Sequence, residues 1–316
     1  MKNVSYLMGL LAVVALAVAP ACKKKDDDKK NKKKNVGKVQ PKGKAKPKDK
    51  PKKPETKKTT EDVVKAHLAA FGKRDMKAIL ADYAADAMLI TPMGTAKGHE
   101  QLKGMFTKFF AEFAKPGMKF KMGKTLFKDD VGFITWSGET ADNTYEMATD
   151  TFVVKDGKIV AQTFAGMIKP KAKKDAPKAK APVEEKKVAK KEEKRPAPEK
   201  GSTAAVLASH LAAFGKGDMK AILADYADTA ALLSPMGELA GKEKLTGLFK
   251  QLFAEFGKKG TKFKMLHTTV EGEIAFIVWS AETPDNSYEL ATDTFIIRGG
   301  KIVNQTFAAK ATPKKK

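Results

Sequence analysis

The apolar positions of this chain fall into one pattern that occurs twice. Val63, His67 and Phe71 recur at helical spacing, with Val64 and Leu68 beside them, which predicts an amphipathic first helix. Asp75 opens a short second helix whose apolar side is Ile79, Leu80 and Tyr83. Residues 87–91 predict a short strand that stops at Pro92-Met93-Gly94. Leu102, Phe106, Phe109, Phe110 and Phe113 then return to helical spacing in a third helix, which Gly117 ends. Four strand-like runs follow at 120–127, 132–139, 145–154 and 159–167, separated by Asp-Asp, Asp-Asn and Asp-Gly turns. Helices first and a meander afterwards predict an α+β fold, with a strongly curved antiparallel sheet closed by helices around a conical cavity.

The whole pattern of residues 60–168 returns at 203–311 without a gap, at a constant offset of 143 (His67 to His210). More than half of the paired positions are identical, so the chain carries a duplicated domain rather than a short-period array. The expected organisation is a leader at 1–21, a Lys-rich tether at 22–59, a first domain at 60–169, a Lys/Pro/Ala/Glu-rich linker at 170–201, a second domain at 202–311 and a basic tail at 312–316.

Charge changes the picture only by where it lies. The formal net charge is +24, from 61 Lys+Arg against 37 Asp+Glu, but the excess sits in the tether, the linker and the tail. The two patterned stretches are close to neutral. The basic runs hold almost no aromatic or β-branched residues and cannot bury enough apolar surface to offset chain entropy, so they are expected to be disordered spacers. Anionic envelope polymers are conceivable partners for them. Nucleic acid is disfavoured, because stacking aromatics are missing from the basic runs. With one Cys there is no intramolecular disulfide. Each copy offers one well-placed His, so no metal site is expected, and no Gly-rich phosphate loop suggests a nucleotide cofactor.

Lys2, the apolar run from Leu7 to Val18 and the small residues Ala19-Pro20-Ala21 read as a signal peptide. The run is too short for a bilayer-spanning helix, which takes about 20 residues. The one Cys, Cys22, follows at once. This arrangement resembles a bacterial lipoprotein signal, which implies a lipidated Cys22 that anchors an exported protein to the membrane, at the outer membrane or in the periplasm. Plain secretion is the alternative.

Three groups of residues carry a second resemblance. They are Tyr83-Ala84-Ala85-Asp86-Ala87, then Pro92-x-Gly94-x-x-x-Gly98-x-Glu100 ahead of the Phe-rich helix, then Asp150-Thr151-Phe152 ahead of Gly157-Lys158-Ile159. Their order and spacing resemble the SnoaL-like, ketosteroid-isomerase-like branch of the NTF2-like superfamily, over nearly all of each copy. The resemblance implies two cone-shaped domains, each with three N-terminal helices packed on a curved sheet. It also assigns positions to the three pocket residues of the isomerases. The Tyr donor falls on His67 and His210, the general-base Asp on Thr91 and Ser234, and the donor Asp on Asp150 and Asp293. A hydroxyl stands where the base should be in both copies, and Thr and Ser are poor bases without an activating partner.

The expected pocket is therefore His67, Tyr83, Thr91, Trp136, Asp150 and Gln162, with His210, Tyr226, Ser234, Trp279, Asp293 and Gln305 in the second copy. Tyr145 and Tyr288 are supporting candidates. Strand alternation puts Asp150, Phe152 and Val154 on one face of their strand and Thr149, Thr151 and Val153 on the other. Three readings remain open. The first is a non-catalytic binder of a small apolar ligand. The second is an isomerase- or cyclase-type enzyme working through a pair formed by His67 and Asp150, or His210 and Asp293. The third is an association module whose domains pair through their sheets, within one chain or between chains.

Overall fold

The computed structural model describes residues 57–171 and 198–315. The signal segment, Cys22, most of the tether and most of the linker lie outside the described residues. Each copy is built as expected: helices packed against one face of a six-stranded curved sheet.

The first copy runs α1 (Thr60–Lys73), α2 (Met76–Asp82), β1 (Tyr83–Thr91), β2 (Gly94–Lys97), α3 (Gly98–Phe113), β3 (Lys119–Lys128), β4 (Val131–Glu139), β5 (Asn143–Lys155) and β6 (Lys158–Pro170). The second repeats it as α4 (Thr203–Lys216), α5 (Met219–Ala224), β7 (Tyr226–Ser234), β8 (Gly237–Ala240), α6 (Lys242–Phe256), β9 (Lys262–Glu271), β10 (Ile274–Glu282), β11 (Asn286–Arg298) and β12 (Lys301–Pro313).

Local chemistry sets the helix ends. Thr59 caps α1 in a reciprocal box with Asp62, and Ser202 caps α4 by accepting from the Ala205 amide at 3.2 Å. Asp75 and Asp218 cap the second helix of each copy, at 3.0 and 2.9 Å to the amides of Ala78 and Ala221.

The sheet order is β2-β1-β6-β5-β4-β3, and the second copy matches it. Three details differ from the sequence expectation. Tyr83 does not continue α2; its backbone is extended and it begins β1, opposite Ile159 of β6. The Pro92-Met93-Gly94 stop is the turn of a hairpin, whose second arm, β2, pairs back on β1. And β1 joins β6 in parallel, as β7 joins β12, because a helix and the meander intervene between them, whereas every other pairing is antiparallel. Strands β6 and β12 also run slightly past the expected domain ends at 169 and 311, paired to Asn143 and Asn286.

The concave face of each sheet and its helices enclose a core; in the first copy it includes Val64, Ile79, Leu102, Phe106, Phe152 and Ile159. The outer faces are apolar too, and they meet each other. Ile90, Val131, Phe133, Val153 and Ala165 share one buried cluster with their counterparts Leu233, Ile274, Phe276, Ile296 and Ala308. Threonines hydrogen-bond across this contact: Thr151 with Thr306 at 2.7 Å, Thr163 with Thr294 at 2.8 Å, and Thr149 with its own counterpart Thr292 at 3.4 Å. At the rim Lys155 meets Glu273 at 2.8 Å, and Arg298 grips Asp130 at 3.2 and 2.5 Å. Each of these contacts has a partner related by exchanging the copies, which is the signature of a two-fold, self-complementary interface. The alternation read from residues 149–154 is what makes it possible: one face of β5 serves the cavity and the other serves the second copy.

Candidate ligand-binding site

Asp150 sits in the middle of β5 on the concave face. Its neighbours on the same face lie diagonally across the two adjoining strands, Trp136 on β4 and Gln162 on β6. Trp136 Nε1 donates to Asp150 Oδ2 at 2.8 Å, and Gln162 Nε2 donates to Oδ1 at 2.7 Å. The Tyr83 hydroxyl, at the start of β1, donates to Gln162 Oε1. The result is a buried polar chain, Tyr83 to Gln162 to Asp150, met from the other side by Trp136. The second copy reproduces it: Trp279 and Gln305 each donate to Asp293 at 2.7 Å, and Tyr226 donates to Gln305.

Burial raises the carboxyl pKa of Asp150 and Asp293 to about 6, against the lowering effect of the two hydrogen bonds each accepts. Burial, and then the nearby Asp charge, pushes the Tyr83 and Tyr226 hydroxyls well above their ordinary value.

His67 reaches the same cavity from α1. Its ring meets Tyr83, Phe106 and Phe152 edge-on, at centroid distances of 5.4, 5.9 and 5.3 Å. Its Nδ1 is buried without a hydrogen-bond partner. Desolvation alone pushes its pKa down to about 3, and that of His210 to about 4. Both are neutral imidazoles in aromatic cages. The His–Asp pair of the enzyme reading is not joined by a hydrogen bond: the oxygens of Asp150 accept from Trp136 and Gln162, and those of Asp293 from Trp279 and Gln305.

A cavity of about 70 Å³ lies above this floor in the first copy. His67, Trp136, Asp150 and Gln162 line it, and Phe106 and Phe109 are among its apolar walls. Tyr83 stands behind Gln162 rather than at the surface of the cavity. Thr91 and Ser234 are corrected: their hydroxyls turn into the β1–β2 and β7–β8 hairpins. Thr91 donates to Gly94 O at 3.0 Å and accepts from the Met93 amide at 3.1 Å, and Ser234 does the same with Gly237 and Met236 at 3.3 Å each. A residue at the end of a strand before a tight turn satisfies the turn first.

Tyr145 lines the cavity, but its hydroxyl is held by Glu112 at 2.8 Å. Glu112 also accepts from Thr140 and Asn143, at 2.9 and 2.7 Å, and so ties α3 to the β4–β5 turn. That role was not expected from the sequence; the available signal was a lone carboxylate inside the run Phe109-Phe110-Ala111-Glu112-Phe113.

In the second copy a cleft of about 520 Å³ lies between the ends of α4 and α6 and strand β9. Of the expected second-copy pocket residues, His210, Tyr226, Ser234, Trp279, Asp293 and Gln305, none lines it. Among the described residues no three His, Cys, Asp or Glu side chains gather as metal ligands.

The folds of several solved structures resemble one copy at a time. An NTF2-like protein of unknown function from Cytophaga hutchinsonii is 17% identical, with a TM-score of 0.31, over 36% of this chain and 94% of its own. TerC, co-crystallized with polyporic acid, is 19% identical, with a TM-score of 0.30, over 34% and 91%. A proposed polyketide cyclase from Sinorhizobium meliloti is 16% identical, with a TM-score of 0.29, over 33% and 94%. No curated protein matches the chain. The family model for the SnoaL-like domain matches residues 64–162 and again 207–305, well over half of the chain. With the helix order, the curved sheet and the repeated polar floor in place, the chain belongs to the SnoaL-like domain family and carries that domain twice.

Proposed function

We propose that this is an exported, lipid-anchored protein of the cell envelope whose first SnoaL-like domain binds a small, largely apolar ligand without transforming it. One observation carries the binding reading. The cavity has apolar walls and a polar floor, in which each oxygen of Asp150 already accepts one hydrogen bond from the protein. Asp150 accepts from Trp136 and Gln162, and His67 is a neutral ring among aromatic edges. Asp150 keeps acceptor capacity for one donor from a ligand, which suits recognition. The enzyme reading requires His67 and Asp150 to exchange a proton, and no hydrogen bond joins them.

The association reading is favoured by the contact between the outer faces of the two sheets. That contact occupies the convex side, so it leaves the cavity free and is compatible with binding.

Native mass spectrometry of the full chain, purified without added ligand, tests the proposal. A discrete extra mass is expected, and Leu68→Trp, which fills the cavity from α1 without touching the floor, should abolish it. A persistent adduct in Leu68→Trp, or a bare chain in the wild type, counts against the cavity as the binding site.

The anchor rests on the residues around Cys22. Metabolic labelling with a fatty-acid analogue should mark the wild-type chain and leave Cys22→Ser blank. An unlabelled wild type favours plain secretion.

A further inference from the structure

The two copies differ at the corner between their first two helices. In the first copy α1 ends on Arg74, whose backbone is left-handed at φ 56°. Its guanidinium crosses to the end of α3 and donates from Nη2 to the Phe113 carbonyl at 3.1 Å. The matching position in the second copy is Gly217, also left-handed at φ 64°, with no side chain to cross. The cleft of about 520 Å³ opens there. Phe214, Phe253, Phe256 and Met265 wall it, and Lys216 and Lys258 stand at its edge. The carbonyl that matches Phe113 is that of Phe256, and among the described residues nothing donates to it.

The first copy shows what this place accepts. The lysines beside Arg74, Lys73 and Lys115, recur as Lys216 and Lys258. Lys115 is neutralised by Asp142, and Lys258 by Asp285 and, at 3.5 Å, by Glu255. A guanidinium therefore already resides beside the same pair of lysines, held by a helix-end carbonyl, where partial negative charge favours a cation. In the second copy the carbonyl and the aromatic wall remain and the guanidinium is missing, while Gly257 and Lys259 stand at the positions of Ala114 and Pro116.

We propose that this cleft is a second binding site, specific for an amphipathic organic cation: a guanidinium or amidinium carried on an aromatic or alkyl body. The head takes the place of the Arg74 guanidinium and donates to the Phe256 carbonyl. The body packs on Phe214, Phe253 and Met265, with cation–π attraction from the ring faces. This site is independent of the floor around Asp150, and the first-copy proposal can fail without affecting it.

Phenylguanidinium titrated into the full chain, labelled with ¹³C at the Met methyls, is the test. Met265 lines the cleft, and Met122 holds the matching position in the first copy. The Met265 methyl should shift and saturate. Gly217→Arg should weaken this response about tenfold or more, because a tethered guanidinium competes at high effective concentration. The substitution has room: a Cβ on Gly217 meets nothing nearer than Phe253 Cγ at 4.0 Å, and Arg74 shows that arginine tolerates the backbone. Arg74→Gly should make Met122 respond as well, and it carries the test alone if Gly217→Arg does not fold. A silent Met265 at about 10 mM probe overturns the proposal, since a site that weak holds no specific ligand. So does a folded Gly217→Arg chain that binds like wild type, or an Arg74→Gly chain in which Met122 stays unmoved.

Discussion

Replacing His67 and His210 together with Phe should stabilise the chain by about 4 kcal/mol more at pH 5 than at pH 8. The sign follows from where each proton resides. In the folded chain both imidazoles are neutral, with pKa values lowered from 6.5 to about 3 and about 4 by burial. In the unfolded chain they titrate normally. Between pH 4 and 6.5 the unfolded state therefore binds more protons, and stability rises with pH. At pH 5 each His costs about 2 kcal/mol that it does not cost at pH 8. Phe removes that cost and also removes the unpaired buried Nδ1, worth about 1–3 kcal/mol, against some overpacking. Urea unfolding of wild type and double variant at the two pH values measures the difference. A difference from wild type that is the same at both pH values would mean that the imidazoles titrate in the folded chain as they do in the unfolded one. The double variant should also uncover an opposite slope. Asp150 and Asp293, with pKa values raised to about 6, hold protons in the folded state that the unfolded chain has lost. In wild type the two histidines and the two aspartates nearly cancel between pH 4 and 6. Without the histidines, stability should fall across that window as pH rises.

Much of this site was legible in the sequence because strand period is rigid. Asp150, Phe152 and Val154 had to share a face once residues 145–154 formed a strand, and Thr149, Thr151 and Val153 had to share the other. The first set lines the core and floor, and the second meets the other copy. Trp136 and Gln162 were legible for the same reason, since they stand on the concave faces of adjacent strands. What alternation cannot give is partnership. Whether Asp150 would bond to His67 or to Trp136 and Gln162 depends on the register between strands and on the position of α1. The bulges between Trp136 and Gly138 and between Val153 and Val154 set that register, and nothing in the local sequence announces them. Thr91 failed for a different reason. A hydroxyl before Pro-Met-Gly could face the cavity or serve the turn, and the turn is the nearer partner. Duplication made the fold easy to read and hid the divergence. Arg74 and Gly217 look like a neutral exchange in an exposed corner until the carbonyl of Phe113 is seen on the far side.

Asp150→Asn and Asp150→Ala should behave differently from each other at every pH and identically in how they change with pH. The wild-type carboxyl is protonated in both states below its unfolded value of 3.8. As pH rises from there to about 6, the unfolded chain releases the proton and the folded chain keeps it, so wild-type stability falls. Above about pH 6 the loss is complete, at about 3 kcal/mol. Neither variant carries that loss, so each should gain about 2 kcal/mol on wild type between pH 4 and pH 7, where the unfolded carboxyl is already partly ionised at the lower pH. The offset between them has another origin. Alanine leaves Trp136 Nε1 and Gln162 Nε2 as buried donors without acceptors, at about 1–3 kcal/mol each, and opens a void. Asparagine can keep both contacts. Its carbonyl accepts from Trp136, its amide donates to Gln162 once that side chain flips, and the Tyr83 hydroxyl turns from donor to acceptor to receive the flipped amide. Asn should therefore exceed Ala by about 2–4 kcal/mol across the whole range. Urea midpoints at pH 4 and pH 7 for the three proteins separate the two effects. A pH-independent difference from wild type would mean that the carboxyl titrates as if exposed, and equal stability of Asn and Ala would mean that the chain from Tyr83 to Trp136 does not act as one network.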